Sequence, residues 1–292
     1  MNLFRLPTCA IVLVTGADRV SFLQGQLTQD VAALTPATAL AAAHLTPPGR
    51  VLAIARLIAR DDTIVLLVPA ELAVGLAERL RRYVLRAKVK VALAGNELVV
   101  AAVLAGSPGE IDARFGGGAA GGHQRLENGV SLVRLGRRAL LIGSATALAP
   151  HLDAADDAGA AAWELAAIRA GQPAVLAATS ETWTPQMLNL DLIGAISFTK
   201  GCYTGQEIVA RTQHLGRIKR RMFRYVAENA VSIAPGEPLT LAGVKVGEVV
   251  RSGAAGTATE LLAVVSLESR EQPLESARGT RFAPAPLPYA VG

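Results

Sequence analysis

One cysteine of this chain stands among residues that can make its sulfur reactive. Cys202 lies in residues 200–207, which read Lys-Gly-Cys-Tyr-Thr-Gly-Gln-Glu and lead into a helix-like run. A thiol on a tight turn, beside a cation and the free amides of a helix start, has its thiolate form stabilised. The pattern predicts a reactive or ligand-donating thiol. The alternative is a small residue that only fills a turn.

The two polar residues after the turn, Gln206 and Glu207, have two interpretations. They either bind the polar edge of a ligand or cap a helix that starts at Thr204. Cys202 alone is not expected to hold an iron–sulfur cluster, because such clusters normally take four thiolates. Any contact with a cluster would therefore be transient or shared with a second molecule.

The histidines show no metal-ligand spacing, and neither an HExxH nor a CxxC motif occurs. A serine-hydrolase elbow is also absent. We therefore predict no metal site and no acyl-transfer centre. The histidines concerned are His44, His123, His151 and His214.

Two stretches of the chain are strongly cationic. Each is either a solvated surface or a landing site for a phosphate backbone, a polyglutamate tail or an acidic partner. Few aromatic residues accompany them, so no base-stacking surface and no specific nucleic-acid motif is predicted. The first stretch contains Arg79, Arg81, Arg82, Arg86, Lys88 and Lys90. The second contains Arg211, Arg217, Lys219, Arg220, Arg221 and Arg224.

The composition is that of a folded protein with a large core. Of its 292 residues, 51% are hydrophobic and 18% are charged, and the net charge of +5 favours anionic partners. There are two cysteines, which suits a reducing compartment, and Cys9 lies in an apolar run that predicts a core position. Neither a signal-peptide pattern nor a membrane span is recognised, so a cytoplasmic location is expected.

The hydrophobic patterns place these residues in an α+β chain. The N-terminal half predicts, in order, a strand at 9–15, a helix from Gly16 to Val31, a hairpin of 38–45 with 50–59, a strand at 64–68, an amphipathic helix at 69–85, and strands at 88–94 and 97–104 that complete a βαββ-like unit. The remainder predicts a glycine-rich flexible loop at 106–122, a strand pair at 130–142, a helix at 159–170, an irregular apolar segment at 181–200, and short barrel-type strands after 221.

Several motifs, together with residues 200–207, carry a resemblance that covers most of the chain. They are Gly16-Ala17-Asp18, residues 22–31 (Phe-Leu-Gln-Gly-Gln-Leu-Thr-Gln-Asp-Val), Pro48-Gly49-Arg50-Val51, Pro185-Gln186, Asn189-Leu190, residues 194–198 (Gly-Ala-Ile-Ser-Phe) and Pro286-Leu287-Pro288-Tyr289. On these motifs the chain resembles the YgfZ family, folate-binding proteins related to the glycine-cleavage T-protein, an aminomethyltransferase.

The resemblance implies two interleaved ferredoxin-like units over residues 1–220 and a C-terminal β-barrel over residues 221–292, in a ring around a folate-binding cavity. It also implies a role in maturing or repairing iron–sulfur proteins, including enzymes that thiolate transfer RNA, with tetrahydrofolate or a one-carbon derivative as cofactor. Cys202 matches the family's functionally important cysteine, and we expect Lys200 to assist it. The candidate ligand-binding residues are Gly201, Tyr203, Gly205, Gln206, Glu207, Arg211 and Arg169.

Two departures from the T-protein bear on activity. Its catalytic carboxylates match Ala53 and Ile54 here, so the folate amine lacks a proton-transfer partner and aminomethyl transfer is not expected. Its pterin-recognising glutamate matches Arg169, and an arginine cannot accept hydrogen bonds from the pterin N–H groups. Pterin recognition would then use other acceptors, such as Glu207 or backbone carbonyls.

The leading hypothesis is a folate-binding accessory protein that supports iron–sulfur client proteins through Cys202; whether the chain is an enzyme stays open at this point. Its anionic contacts through the basic stretches would be weak. The first alternative is a tetrahydrofolate-dependent aminomethyl transferase. The second is a non-catalytic module that binds RNA or protein through its basic faces.

Overall fold

The computed structural model describes residues 1–152, 157–214 and 216–291. The chain forms two compact units. The first contains residues 1–44, 53–163 and 195–204, and the second contains residues 45–52, 164–194 and 205–292. Both units are therefore assembled from segments that are separated in sequence.

In the first part of the chain, groups of two or three strands are separated by single helices, an arrangement that belongs to the α+β class. The strands are β1 (Asn2–Arg5), β2 (Cys9–Thr15), β3 (Ala39–Leu45), β4 (Val51–Arg60), β5 (Thr63–Pro69), β6 (Lys90–Leu93), β7 (Val99–Leu104), β8 (His123–Arg125), β9 (Ser131–Leu135) and β10 (Arg138–Gly143). The helices are α1 (Arg19–Gln24), α2 (Ala70–Arg82), α3 (Pro108–Phe115), α4 (Ala145–Leu148) and α5 (Asp157–Arg169).

These strands form two five-stranded sheets whose sequences interleave. One sheet has the order β3-β4-β5-β2-β6 and the other has the order β1-β7-β10-β9-β8. In chain order, β1 comes first, β2 to β6 then form the whole of the β3-β4-β5-β2-β6 sheet, and β7 to β10 complete the sheet that contains β1. The predicted α+β class is confirmed. Strands 88–94 and 97–104 were expected in one βαββ unit, but β6 pairs with β2 whereas β7 pairs with β1 and β10 in the other sheet.

Among the described residues, layers of apolar side chains hold the first unit together. One covers the outer face of the β3-β4-β5-β2-β6 sheet, where Leu76 and Leu80 of α2 pack against Leu66. A second joins the two sheets and includes Val65 and Leu140. The third lies under α3. Burial of continuous apolar runs in the strands is the main driving force for this arrangement.

Two local predictions for the first unit were wrong. The helix expected from Gly16 to Val31 ends at Gln24. Residues 106–122, expected to be a flexible loop, contain α3, in which Ile111 and Phe115 are buried. These two side chains are four residues apart and so share one helical face, a signal that the surrounding glycines obscured.

The C-terminal part of the chain forms a closed barrel of six antiparallel strands, as predicted. Its strands are β11 (Arg220–Ala227), β12 (Pro238–Leu241), β13 (Val244–Ala255), β14 (Ala258–Ser266), β15 (Leu274–Ser276) and β16 (Arg281–Ala285). The order is β11-β14-β13-β12-β15-β16, and β16 closes the barrel by pairing with β11. Closure leaves no exposed sheet edge, and Tyr225, Leu239 and Phe282 fill the interior.

The irregular segment at 181–194 is fixed by polar contacts within the second unit. Arg221 forms a bidentate pair with Asp191 at 2.9 and 2.8 Å. Asn189, in the left-handed region at φ 58°, donates to the carbonyl of Met222 at 2.8 Å. Tyr289 donates to the carbonyl of Gly171 at 2.7 Å. Motif residues Asn189 and Tyr289 therefore have structural roles. The predicted domain boundary at 220/221 stays a prediction.

Helix α6 (Gln206–His214) precedes the barrel. It begins two residues later than the predicted start at Thr204. Among all described helices, none is both long and apolar enough to cross a membrane.

Candidate functional site

The thiol predicted to be reactive is exposed. Cys202 is a free cysteine on the thiol loop, which we define as residues 195–204 of the first unit. Cys9, the other cysteine, is partly buried in β2, and burial raises the pKa of its thiol to about 12. A thiol with so high a pKa remains protonated and unreactive near neutral pH. The two cysteines thus differ in exposure, and the reactivity of Cys202 stays a prediction.

Lys200 anchors the thiol loop by binding three backbone carbonyls. Its ammonium donates to the carbonyl oxygens of Gln24 at 2.6 Å, Leu27 at 2.8 Å and Gln29 at 2.8 Å. A lysine ammonium has three hydrogens, so these bonds use its full donor capacity. The expected stabilisation of the Cys202 thiolate by this ammonium stays a prediction. Its hydrogen bonds to the backbone of residues 24, 27 and 29 are present in the structure.

The surroundings of Lys200 are partly apolar. Burial lowers the pKa of its ammonium to about 8, and the charge of Asp30 opposes this shift. The ammonium also lies 5.1 Å from the centroid of the Tyr203 ring, a cation–π distance. Tyr203 is buried, and its burial raises the pKa of the phenol to about 12. Tyr203 is therefore a buried, neutral aromatic side chain of the thiol loop, and its ring lies beside the Lys200 ammonium.

Residues 24–31, the core of the second motif, are shaped to receive the thiol loop. Gln24 donates to Asp30 at 2.8 Å and accepts from the amide of Val31 at 2.7 Å. The hydroxyl of Thr28 donates to the carbonyl of Ala195 at 2.7 Å. These contacts explain why α1 stops at Gln24: the carbonyls that would continue the helix point instead at Lys200.

The glycines on either side of Cys202 differ in their constraints. Gly205 has φ +81°, and a Cβ built there would lie 2.6 Å from the carbonyl oxygen of Thr46. Apart from its two chain neighbours, no atom of the described residues lies within 4 Å of a Cβ built at Gly201, whose φ is outside the left-handed region. Only Gly205 is therefore required by backbone geometry.

Three further predicted ligand residues lie on α6. Gln206 opens the helix and is partly buried, while Glu207 in the first turn and Arg211 in the last turn are exposed. An acid at the start and a base at the end suit the helix dipole. Their proposed roles in ligand binding stay predictions.

Arg169 is bound to a carboxylate inside the second unit. Its guanidinium donates to Glu260 Oε1 at 2.9 and 2.6 Å, and Arg224 donates to the other oxygen of Glu260. Burial acts to raise the pKa of Glu260, but the hydrogen bonds from both arginines outweigh it and lower the pKa. The single negative charge of Glu260 thus neutralises one of the two arginine charges. A ligand-binding role for Arg169 stays a prediction.

Arg56 is a candidate site residue that the sequence patterns did not single out. It lies on β4, partly buried, on the same face as Ile54 because strand side chains alternate. Within the described part of the chain, no hydrogen bond or ion pair reaches its side chain, and burial lowers its pKa to about 10. A desolvated cation without a partner acid is costly, so the position favours an anionic ligand.

Two buried acceptors near the thiol loop also lack a donor among the described residues. They are Gln26 Oε1 and His44 Nε2, on residues next to the bridge between Leu27 and His44. Burial lowers the pKa of His44, so its ring is neutral. Because Nδ1 lies 3.0 Å from the carbonyl oxygen of Gln26, it carries the proton, which leaves Nε2 as an acceptor.

No group of three or more His, Cys, Asp or Glu side chains in the described ranges could hold a metal ion. The sequence-based prediction of no metal site stays a prediction.

No protein-family model matches the chain. It is 32% identical over 235 residues to the tRNA-modifying protein YgfZ of Colwellia psychrerythraea, an alignment of 76% of this chain and 70% of the relative. It is 31% identical over 248 residues to the protein of that name from Yersinia pseudotuberculosis, covering 82% of this chain and 75% of the relative. The chain belongs to the YgfZ family.

A solved structure has the same fold as this chain. The glycine cleavage system aminomethyltransferase T from Bartonella henselae superimposes with a TM-score of 0.79, covering 99% of this chain and 86% of that one. Their sequences are 17% identical, so the likeness concerns the fold alone. The predicted T-protein-like architecture is confirmed.

Proposed function

We propose that this YgfZ-family chain supports iron–sulfur client proteins, among them enzymes that thiolate transfer RNA, by presenting Cys202 to them. The supporting observation is the placement of Cys202: an exposed, free thiol on a loop whose neighbour Lys200 is bonded to three carbonyls. Anchoring fixes the thiol's position without covering its sulfur. The two relatives are named tRNA-modifying proteins, which supports the choice of clients.

The thiolate can offer one ligand to iron, and the remaining ligands must come from the client or from small thiols. A single donor suits transient contact, because a lone ligand releases iron more readily than a complete set. This explains how a chain with one exposed thiol takes part in cluster repair without storing a cluster.

We further propose that the chain binds a tetrahydrofolate species, which supplies amine nitrogens that carry one-carbon units. Arg56 would meet the glutamyl carboxylate of the ligand, since it is a partly buried cation with no acid bound in the described ranges. Gln26 and His44 would accept hydrogen bonds from the pterin N–H groups, since each has a buried acceptor without a donor there. These two atoms would accept hydrogen bonds from the pterin, which the guanidinium of Arg169 cannot do.

A tetrahydrofolate-dependent aminomethyl transferase is the competing function, and no feature of β4 favours it. Ala53 is buried and Ile54 is partly buried, so neither position supplies a carboxylate. A proton-transfer group within reach of the reacting amine is needed for that chemistry. We therefore expect no turnover of an aminomethyl donor by the wild-type chain.

Calorimetric titration tests the folate half of the proposal. Wild-type chain should bind tetrahydrofolate, and Arg56→Gln should weaken binding roughly tenfold or more, the usual loss for one charged hydrogen bond. Binding of tetrahydropterin, which has no carboxylate, should be unchanged by the same substitution. Arg60→Gln is the matched control, because Arg60 lies on the same strand and is bonded to the carbonyl of Gly129. Absence of tetrahydrofolate binding by the wild type would remove this half.

Repair of an oxidised client tests the thiol half. A purified tRNA-thiolating enzyme with a damaged cluster is incubated with iron, sulfide, a small thiol and the chain, and regained activity is measured. We expect wild type and Cys9→Ala to accelerate recovery and Cys202→Ala to give the rate without added chain. Equal acceleration by Cys202→Ala would contradict the role of the thiol.

A further inference from the structure

The second cationic stretch of the sequence divides in the structure into paired and unpaired residues. Arg221 is bonded to Asp191, and Arg224 is bonded to Glu260, so these two belong to the framework of the second unit. Arg217, Lys219 and Arg220 have no ion pair or side-chain hydrogen bond to any residue that the structure describes. The stretch is cationic throughout in sequence. In the structure it contains three cations, within four residues, that have no partner among the described residues.

These free cations line a groove on the surface of the barrel, which we call the basic groove. Its volume is about 780 Å³, and it is bordered by Arg217, Lys219, Arg220, Lys245, Val246 and Glu268. It lies where β11 begins and β14 ends, since Arg220 pairs with Ser266. The amide of Leu267 donates to the carbonyl of Lys219 at 3.0 Å, which fixes the backbone under the cations.

The charge of the basic groove is strongly one-sided. Lys245 forms an ion pair with Glu248, so three free cations face a single lining acid, Glu268. Lys219 and Arg217 are exposed and Arg220 is partly buried. Like charges that line one groove repel one another, and an anion that spans them relieves that repulsion.

The shape and lining favour a polyanion over a small anion or a protein. A single phosphate at an exposed site stays hydrated and screened, whereas a chain of phosphates engages several cations at once. The groove contains no aromatic side chain, and protein interfaces depend on aromatic anchors and are poor in lysine. Nucleic-acid interfaces are polar and strongly positive, which matches the lining of this groove.

We propose that the basic groove binds the phosphodiester backbone of a nucleic acid. Contact is made through phosphates only, so the site requires no base-specific motif and no stacking platform. The proposal is independent of Cys202 and of folate. Transfer RNA and duplex DNA present the same backbone chemistry, and the experiment distinguishes between them.

Fluorescence anisotropy with a labelled transfer-RNA transcript and a labelled DNA duplex of similar length tests the proposal over a series of salt concentrations. With about three phosphates neutralised, the slope of log K against log salt should be roughly −2 to −3. Lys219→Gln alone should reduce that slope by about one. The triple variant Arg217→Gln, Lys219→Gln, Arg220→Gln should weaken binding about tenfold or more at low salt. Tighter binding of one probe identifies the source of the backbone.

A control variant of equal charge change separates site binding from general attraction. Arg82, Arg86 and Lys90 belong to the first cationic stretch, and all three are exposed. Their replacement by Gln removes the same charge from the other unit and should change affinity less than about threefold. Cys202→Ser should bind as the wild type does, because the thiol loop has no part in the site.

Three results would overturn the proposal. The first is no binding of either nucleic acid at 50 mM salt, the second is an equal loss of affinity in both triple variants, and the third is a labelled poly-glutamate peptide binding as tightly as either nucleic acid. The last result would assign the groove to an acidic protein. Thermal denaturation of both triple variants shows that the comparison is made between folded proteins.

Discussion

At the scale of single residues, the structure distinguishes the two cysteines by their access to solvent. Cys202 is exposed, whereas burial raises the pKa of the Cys9 thiol to about 12. The sequence already indicated this difference, because apolar neighbours surround Cys9 while glycine and lysine precede Cys202. Local context is sufficient here because both environments are set by adjacent residues.

Alkylation of the native protein should therefore be selective. With iodoacetamide at pH 8, we expect Cys202 to be modified at least about a hundredfold faster than Cys9, since the thiolate is the nucleophile. Peptide mass spectrometry after timed quenching measures both rates, and the denatured chain is the control in which they should converge. Similar rates in the native state would show that the thiol loop does not present Cys202.

The partners of Lys200 could not be predicted from the sequence. They lie 171 to 176 residues away along the chain, and they are backbone carbonyls, which no residue pattern identifies. Chain folding alone brings Gln24, Leu27 and Gln29 to the ammonium. The assignment of Lys200 as an important residue was possible, but its role as an anchor was not.

Lys200 should titrate well below an ordinary lysine. Burial lowers its pKa from the 10.5 of an unperturbed side chain to about 8 in the folded chain. Between these values the unfolded chain binds more protons, so the contribution of Lys200 to the free energy of unfolding rises with pH. The rate of Lys200 acetylation, followed by mass spectrometry from pH 7 to 11, should have its midpoint near 8. The exposed Lys219 is the internal control, and a Lys200 midpoint near 10.5 would contradict the account.

At the scale of elements, the thiol loop depends on a neighbouring segment that replaces part of a predicted helix. Hydrophobic spacing favoured a helix as far as Val31, but tertiary contacts to Lys200 and Thr28 end α1 at Gln24. Helical propensity is worth only tenths of a kcal/mol per residue, so several hydrogen bonds outweigh it. The strands are predicted more accurately than the end of α1, because an apolar run is buried in whichever sheet the strand joins.

The turn that joins the thiol loop to α6 should tolerate a methyl group at one glycine and not at the other. Gly205→Ala places a Cβ 2.6 Å from the carbonyl oxygen of Thr46 at φ +81°, so we expect a loss of about 2 kcal/mol or more in the free energy of unfolding. Gly201→Ala meets no atom within 4 Å and should change it by less than about 0.5 kcal/mol. Urea denaturation measures both, and equal effects would contradict the turn geometry.

At the scale of the whole molecule, the class of fold was predictable and the connection of its strands was not. Short strands separated by glycine and proline indicate the barrel, and a βαββ-like pattern of strands and helices indicates the α+β part. The separation of β6 and β7 into different sheets depends on which partners their edges meet. Arg56 was also missed, since an arginine within a strand pattern has no signature until its surroundings are known.

The buried Arg221–Asp191 pair should be important for the stability of the second unit. Their side chains are only 8% and 7% exposed, so removing one charge leaves the other buried without a partner. Asp191→Asn should lower the free energy of unfolding by about 3–5 kcal/mol, and the double variant Arg221→Met, Asp191→Leu should lose less. Calorimetric melting of both variants checks this order, and a smaller effect of the single substitution would contradict it.

The most direct test of the account replaces each cysteine in living cells. A strain whose own copy of this gene is deleted receives the wild type, Cys9→Ala or Cys202→Ala at matched protein levels, and the thiolated nucleosides of its transfer RNA are quantified by mass spectrometry. We expect wild type and Cys9→Ala to restore thiolation fully, and Cys202→Ala to leave it at the level of the deletion strain. Full restoration by Cys202→Ala would show that the exposed sulfur is not what the chain contributes.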